Sequence, residues 1–594
     1  MPIPAQRISP RDVLRRGRAS VNKALTAWSP AALAALAVGL LAAGGTTWVW
    51  VTALVAALGA LGLVVSAKHR SLRDPRRGGL VASFVSVRLL LLVALGLGWS
   101  WRVSGDHGWL WAGVAVALAL VAAEPVLKSM IGTPREVVAH LPGVTTVAHQ
   151  PFGGAWLAFW SLVATVLGGV LVAVGAPGWV LLVMAVLQVP GYLRLVWWAL
   201  RADARSDLVR ASIRPALKAY RPEFVVYYAA TSGVRYQLGM WLPYLDRLGR
   251  RYVVITRNPS TVKAITGLTS APVLVPKDLG KAGLEQMVVP SMRAAYYVQG
   301  SPANQTFQRY RQLTHIWLNH GDSDKEANFH PRHATYDKLF LSGQLGVERY
   351  ANHGIEVAPH KFELVGRPQI EAIEPADPDR TTPPSRVLYA PTWQGGRPST
   401  SYSSLQVGPQ IVAELLRRGL TVVFRPHPLS RTIANDRRRV LEIVDLLKKD
   451  AAATGSPHVW GAQAEITWDV PACFNATDLL ITDVSSLASD YLASGKPFAM
   501  VAVTRSGEAF RREFATARAA YVIEKDLSTL DESLDAMLGD DPMRAAREEY
   551  RRYCLGDHLG AHAADGFVQA SLAILDAPAK GKGKDVTEDG DEGA

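Results

Sequence analysis

The sequence contains only two cysteines, Cys473 and Cys554, and neither has a second cysteine or a histidine at zinc-site spacing. A disulfide framework and a structural zinc site are therefore not indicated, and a reducing compartment fits. Aromatic-interleaved basic motifs are also missing. The net charge of +13 thus speaks for anionic lipid or a phosphorylated substrate and against nucleic acid. Charge is scarce in one part of the chain, because nearly all long apolar runs lie before residue 200 and charged residues dominate after it. At 594 residues the chain exceeds a single core, so a membrane module followed by a soluble one is expected.

Within residues 30–200 the apolar runs divide into three hairpins, which predicts about six spans. Arg7, Arg11, Arg15, Arg16, Arg18 and Lys23 precede the first span. Lys68, Arg70, Arg73, Arg76 and Arg77 lie between the second and third, whereas the opposite turns carry only Arg102. This asymmetry predicts a multi-pass cell-membrane protein with the N-terminal segment 1–29 and everything after residue 200 in the cytoplasm. The first apolar stretch runs into a second without a small-residue cleavage site, so no cleavable signal is expected. Arg88 and Arg194 lie inside apolar runs and are read as snorkelling to the cytoplasmic face. Trp101, Trp109, Trp179, Trp197 and Trp198 lie near span ends and are read as interfacial belts.

A polar connector is expected over 201–221. From residue 222 short apolar runs alternate with amphipathic stretches, a β-α-β rhythm that predicts a first Rossmann-like domain over 222–375. The proline-rich stretch from Glu374 to Pro384 reads as a linker, and the rhythm restarts over 385–576 as a second such domain. The fold class is thus an α-helical membrane domain followed by α/β. Residues 577–594, rich in Gly, Lys, Asp and Glu, read as a disordered tail.

Ligands of doubly wound sheets bind beyond the carboxyl ends of strands, and polar motifs lie at several of these ends. His320-Gly321 follows the predicted strand ending at Leu318, where an imidazole is placed to take a proton near neutral pH. Arg425-Pro426-His427-Pro428 and Asp483-Val484-Ser485-Ser486 follow two predicted strands of the second domain. Their cationic, hydroxyl and amide donors suit a diphosphate, although arginine and histidine at a strand end also serve to bond carbonyls, and Ser and Asp serve as helix caps.

Val387 to Trp393, Phe424 to Pro428 and Asp478 to Ser486, together with His320-Gly321 and Lys325, resemble in order and spacing the motifs of the CDP-glycerol glycerophosphotransferase family. The resemblance covers roughly residues 222 to 560. It implies two Rossmann-like domains of GT-B type facing a cleft, the first on the acceptor side and the second binding CDP, and transfer of glycerol phosphate in the synthesis of teichoic-acid-like polymers. It implies His320 and His427 as catalytic residues, with His320 the general base. Arg425, Asp483, Ser485, Ser486 and Thr392 would hold the donor, and Gly321, Asp322, Asp324 and Lys325 would lie on the acceptor side. Asp322-Ser323-Asp324 departs from the family pattern. It is expected to tune acceptor choice, and no metal or other cofactor is required, although the D-x-D spacing leaves a divalent ion open.

The expected partners are a CDP-activated polyol, a lipid-linked or polymeric anionic acceptor, and membrane lipids, without nucleic acid. Two other readings stay open: a nucleotide-sugar glycosyltransferase of the same fold, and a membrane scaffold or transport subunit carrying a degenerate transferase domain.

Overall fold

The computed structural model describes residues 29–578 apart from 45, 68–83, 103, 106, 133–134, 145–153, 326–327, 378–381 and 396–400. The basic residues before the first span, the basic cluster at 68–77 and the expected tail lie outside the described residues, save for 577 and 578. The chain forms two compact units. One comprises 1–136 and 146–209, and the other comprises 137–145 and 210–594.

The first unit is helical: α1 (Ser29–Ala43), α2 (Thr47–Ala67), α3 (Val85–Arg102), α4 (Gly108–Gly132), α5 (Gly154–Ala173), α6 (Trp179–Val186) and α7, which begins at Val189. Among the described residues, three stretches are long and apolar enough to cross a membrane: Val85–Arg102, Gly108–Gly132 and Trp179–Tyr220. Pro190 lacks the N–H that would bond a carbonyl four residues back, and the helix steps at Leu187–Gln188 before restarting. The residues expected to form a separate connector instead continue α7, which runs unbroken from Val189 to Tyr220.

Arg88 departs from the snorkelling expected of it. It is 1% exposed, and its guanidinium donates to both oxygens of Glu124, at 2.5 and 2.7 Å, and to Ser161 Oγ at 2.8 Å. Tyr192 Oη donates to Glu124 Oε1 at 2.7 Å, so α3, α4, α5 and α7 meet in one polar knot. An arginine flanked by apolar residues escapes to water only when no partner lies inside the bundle. Glu124, near the end of the fourth apolar run, is that partner. Trp101, Trp109, Trp179 and Trp197 all remain exposed on the helical surface.

The second unit contains two sheets. In the first, β2 (Phe224–Tyr228), β3 (Tyr252–Thr256), β4 (Val273–Val275), β5 (Ala294–Tyr297), β6 (Thr314–Trp317), β7 (Lys338–Leu341) and β8 (Phe362–Leu364) run parallel. A short strand β1 (Val137–Ala139) pairs antiparallel with β4 and covers that edge, giving the order β1-β4-β3-β2-β5-β6-β7-β8. The second sheet is entirely parallel, in the order β10-β9-β11-β12-β13, from β9 (Arg386–Ala390), β10 (Thr421–Phe424), β11 (Leu479–Thr482), β12 (Phe498–Ala502) and β13 (Tyr521–Glu524). Residues of β2, β3, β11 and β12 are buried throughout, which is why these strands read as continuous apolar runs without alternation. The strand order reverses between β2 and β5 and between β9 and β11, the places where such sheets open to ligand.

One expected assignment is corrected. The final helix, Asp565–Asp576, was expected to belong with the second sheet, yet its Phe567 and Leu575 join the core of the first, where Phe567 packs on Trp241, Tyr296 and Phe340. The chain thus crosses back to the first domain because the helix's apolar face completes that core.

Removing one member of a buried ion pair leaves the other charge uncompensated, at a cost of about 3–5 kcal/mol. Glu124→Ala should therefore lower the melting temperature of the protein in detergent, and Arg88→Met combined with Glu124→Leu should recover much of the loss. An unchanged melting temperature for Glu124→Ala would show that the knot is not structural.

Candidate active site

The loop after β6 carries His320, and its backbone is set by Asn319, which has φ +62°. Asparagine tolerates this left-handed conformation, and its side chain secures the turn. Oδ1 accepts the His320 N–H at 2.8 Å, while Nδ2 donates to the Gly321 carbonyl at 2.8 Å and to Asn328 Oδ1. Trp241 Nε1 holds the Asn319 carbonyl from below at 2.5 Å.

The His320 ring lies 3.0 Å, through Nδ1, from the carbonyl of Val298 at the end of β5. A carbonyl only accepts, so Nδ1 carries the proton and Nε2 presents a lone pair. Burial lowers the imidazole below its ordinary pKa and the nearby Arg367 cation lowers it further, against the raising effect of the Val298 carbonyl. The ring is therefore a neutral acceptor at pH 7.

His427 has the opposite tautomer. It caps the turn Pro428–Arg431, its Nδ1 accepting the Leu429 N–H at 3.2 Å, so the proton of the neutral ring sits on Nε2. Burial, with the Lys325 charge adding to it, pulls this imidazole down to about 4. One strand-end histidine thus offers an acceptor and the other a donor.

Contacts between the domains bring these motifs together. A Cβ placed on Gly321 would lie 3.2 Å from Cβ and 3.3 Å from Oγ of Ser486, so glycine permits the close approach of the His320 loop to the residues after β11. Lys325 Nζ donates to Thr392 Oγ1 at 3.3 Å, and burial lowers the lysine pKa despite the Asp483 carboxylate. Ser485 and Ser486 are half-buried. Ser485 precedes the helix Ser486–Tyr491 but makes no side-chain capping bond, its hydroxyl lying 3.4 Å from Thr482 Oγ1.

Three expected roles change. Arg425 was expected at a donor diphosphate. Its Nη1 instead donates to the carbonyls of Ala464 and, at 2.9 Å, Trp468, so it braces the turn Gln463–Thr467. Asp483, also expected at the donor, is wholly buried. Its Oδ2 accepts the N–H groups of Thr392 at 2.7 Å and Ser404 at 3.1 Å, and burial pushes its pKa up to about 7. It frames the site without reaching it.

Asp322 and Asp324 were expected to face an acceptor, with a divalent ion left open. Both pair with Arg349, a 6%-exposed residue of the helix Gln344–Asn352, which turns them toward the protein's own guanidinium. Arg349 was missed because nothing in its local sequence marks it. Asn319 was legible in principle, since asparagine beside a strand-end His-Gly is a signal for a left-handed turn.

Behind Thr392 a recess of about 830 Å³ opens beyond the carboxyl ends of β9, β12 and β13, lined by residues that include Gln394, Ser403, Ser404, Asp436, Thr504 and Lys525. Ser403 Oγ donates to the Thr392 carbonyl at 2.7 Å, which joins the recess to the loop that Lys325 touches. The loops that follow β6, β9, β10 and β11 thus carry a neutral acceptor, a neutral donor, a lysine and hydroxyls, groups that suit displacement at a phosphorus centre.

Residues 375–513 match the model of the family described as CDP-glycerol:poly(glycerophosphate) glycerophosphotransferase. Among solved structures, the wall teichoic acid polymerase TagF is similar at 13% identity, covering 63% of this chain and 94% of that one with a TM-score of 0.40. MurG of Acinetobacter baumannii is similar at 11% identity, covering 59% and 100%, with a TM-score of 0.38. No curated protein matches the chain.

If Arg425 braces the 463–467 turn, Arg425→Met should cost about 1–3 kcal/mol of stability by leaving carbonyls unpaired. Cytidine nucleotide affinity, measured by calorimetry on the folded variant, should stay within about twofold of the parent. A tenfold loss of affinity at unchanged stability would return Arg425 to the donor.

Proposed function

We propose, for a chain whose residues 375–513 match the model of the CDP-glycerol:poly(glycerophosphate) glycerophosphotransferase family, a membrane-attached transfer of glycerol phosphate, or a related polyol phosphate, to a hydroxyl of an anionic acceptor. The donor is a CDP-activated polyol and the acceptor is lipid-linked or polymeric. The excess of basic residues before the first apolar run and over 68–77 supports a cytoplasmic side for both termini and the catalytic domains, where cytidine nucleotides are supplied.

The observation that carries this reading is the opposite tautomers of His320 and His427, each fixed by a backbone group. His320 Nε2 takes the proton of the acceptor hydroxyl as its oxygen attacks the phosphorus that bears glycerol. A new P–O bond forms, the P–O bond to the cytidine phosphate breaks, and CMP leaves. His427 Nε2–H and the Lys325 ammonium stabilise the charge that gathers on the departing phosphate, and the hydroxyls of Ser485 and Ser486 donate to the same oxygens. The recess behind Thr392 takes the nucleoside. Positive side chains and donors suffice for this chemistry, which supports a reaction without a resident metal.

A positioned general base contributes about a hundredfold or more to rate. His320→Ala should lower CMP release from CDP-glycerol by that factor with little change in CDP affinity, whereas His427→Ala should weaken both. Because His320 acts as the neutral ring and its pKa is lowered, kcat/KM should stay level through pH 7 and fall only below about 6.5. A His320→Ala enzyme of undiminished turnover would contradict the assignment.

A further inference from the structure

The three residues that follow His320-Gly321 are built into the interface between the two α/β domains. Arg349 Nε donates to Asp324 Oδ1 at 2.9 Å, and its Nη1 bonds Asp322 Oδ1, so one guanidinium grips both carboxylates from behind the loop. The other oxygen of Asp324 faces away from Arg349 and accepts the backbone N–H of Thr516 at 2.9 Å. Thr516 belongs to the turn Ala515–Ala519, between β12 and β13 of the second domain. Its hydroxyl lies 3.5 Å from that of Ser489, on the helix that begins with Ser486.

Between Asp322 and Asp324, Ser323 is fixed from its own side: Asn328 Nδ2 donates to its carbonyl at 2.8 Å and to its hydroxyl at 2.5 Å. Asn328 in turn meets Asn319, the residue that turns the backbone into His320. A continuous set of bonds therefore runs from His320 through its own loop to Asp324, and from there to the domain that carries the donor motifs.

A second tie lies beside it. Arg367, 3% exposed, donates to both oxygens of Asp490 on the Ser486–Tyr491 helix, at 2.7 and 3.1 Å. Arg367 and Asp490 hold the domains together at a point outside the His320 loop. Asp324 does so through the loop itself, at 9% exposure, where water competes little for its bonds.

We propose that Asp324 is a positioning residue for His320: with Arg349 on one carboxylate oxygen and the Thr516 amide on the other, it sets the His320 loop at a fixed reach from the second domain, so that base and donor are in register only while the domains are closed on each other. Asp324 then acts through the loop it holds and not by touching substrate. The proposal rests on His320 being the base. A displacement of about 1 Å at a reacting group can cost about a hundredfold in rate, so a loop tie of this kind acts on turnover without touching substrate.

The test uses the full chain in detergent or nanodiscs, with CDP-glycerol as donor and CMP release as readout. Asp324→Ala is expected to lower kcat about tenfold or more while CDP affinity stays within about twofold. Asp324→Asn keeps one acceptor oxygen and should fall between it and the parent.

A second readout separates positioning from general loss of structure. His320 is faced by the Val298 carbonyl, the Tyr236 ring at 6.0 Å, the Asn319 side chain and the Arg367 cation. Freeing the loop admits water to the ring, so the acid limb of kcat/KM should move up toward the ordinary histidine value in Asp324→Ala.

Parent-like turnover and an unmoved acid limb in Asp324→Ala would overturn the proposal. If that variant does not fold, Asp324→Asn decides alone. Turnover at least about threefold below the parent at equal CDP affinity supports the tie, and parent-like turnover overturns it. His320→Ala is run beside them. If it keeps full turnover, the reading of the base has failed; if it is inactive while both Asp324 variants behave as the parent, only the positioning role has failed.

Discussion

The bond from His320 Nδ1 to the carbonyl of Val298 is the constraint on which the site depends. Val298 follows β5 and His320 follows β6, and these neighbours pair in parallel register from Ala294 with Thr314 to Tyr297 with Trp317. The sheet therefore fixes the spacing of donor and acceptor before any substrate arrives. The left-handed backbone at Asn319 turns the ring onto that carbonyl. Once Nδ1 is committed, Nε2 has one role left, which is to accept a proton.

The second domain repeats the device with the opposite sign. There a backbone N–H, that of Leu429, occupies Nδ1 of His427 and leaves Nε2–H as a donor. Around the pair the protein places groups that hold shape: Asp483 under the Thr392 loop, Arg425 under the 463–467 turn, and Arg349 behind the His320 loop. Each of these three satisfies or grips backbone or carboxylate groups inside the protein. Burial keeps both imidazoles neutral, which suits a base and a hydrogen-bond donor working at neutral pH.

Much of the α/β half was legible because parallel strands buried on both faces leave uninterrupted apolar runs, as in Phe224–Tyr228 and Leu479–Thr482. The likeness of residues 375–513 to a glycerophosphotransferase family model was legible in the strand-end motifs Val387 to Trp393, Phe424 to Pro428 and Asp478 to Ser486. Side-chain direction was not legible. Arg425 and His427 stand two apart on one loop, yet one turns to carbonyls inside the domain and the other caps the next turn near Lys325, and a motif does not say which. Asp483 reads as a donor ligand by its position in the motif but is covered by the loop it supports. Arg349 and Asp322 are separated by 27 positions and meet only through the fold. In the helical unit Arg88 was visible as an anomaly, whereas Glu124 was hidden at the end of an apolar run and became meaningful only when α3 and α4 were placed side by side.

Nitrogen-15 NMR of the protein labelled at histidine, with the two signals assigned through His320→Gln and His427→Gln, reads both tautomers. At pH 7 His320 should be the neutral Nδ1–H form and His427 the neutral Nε2–H form. Finding His320 protonated on Nε2, or either ring charged at that pH, would contradict these assignments.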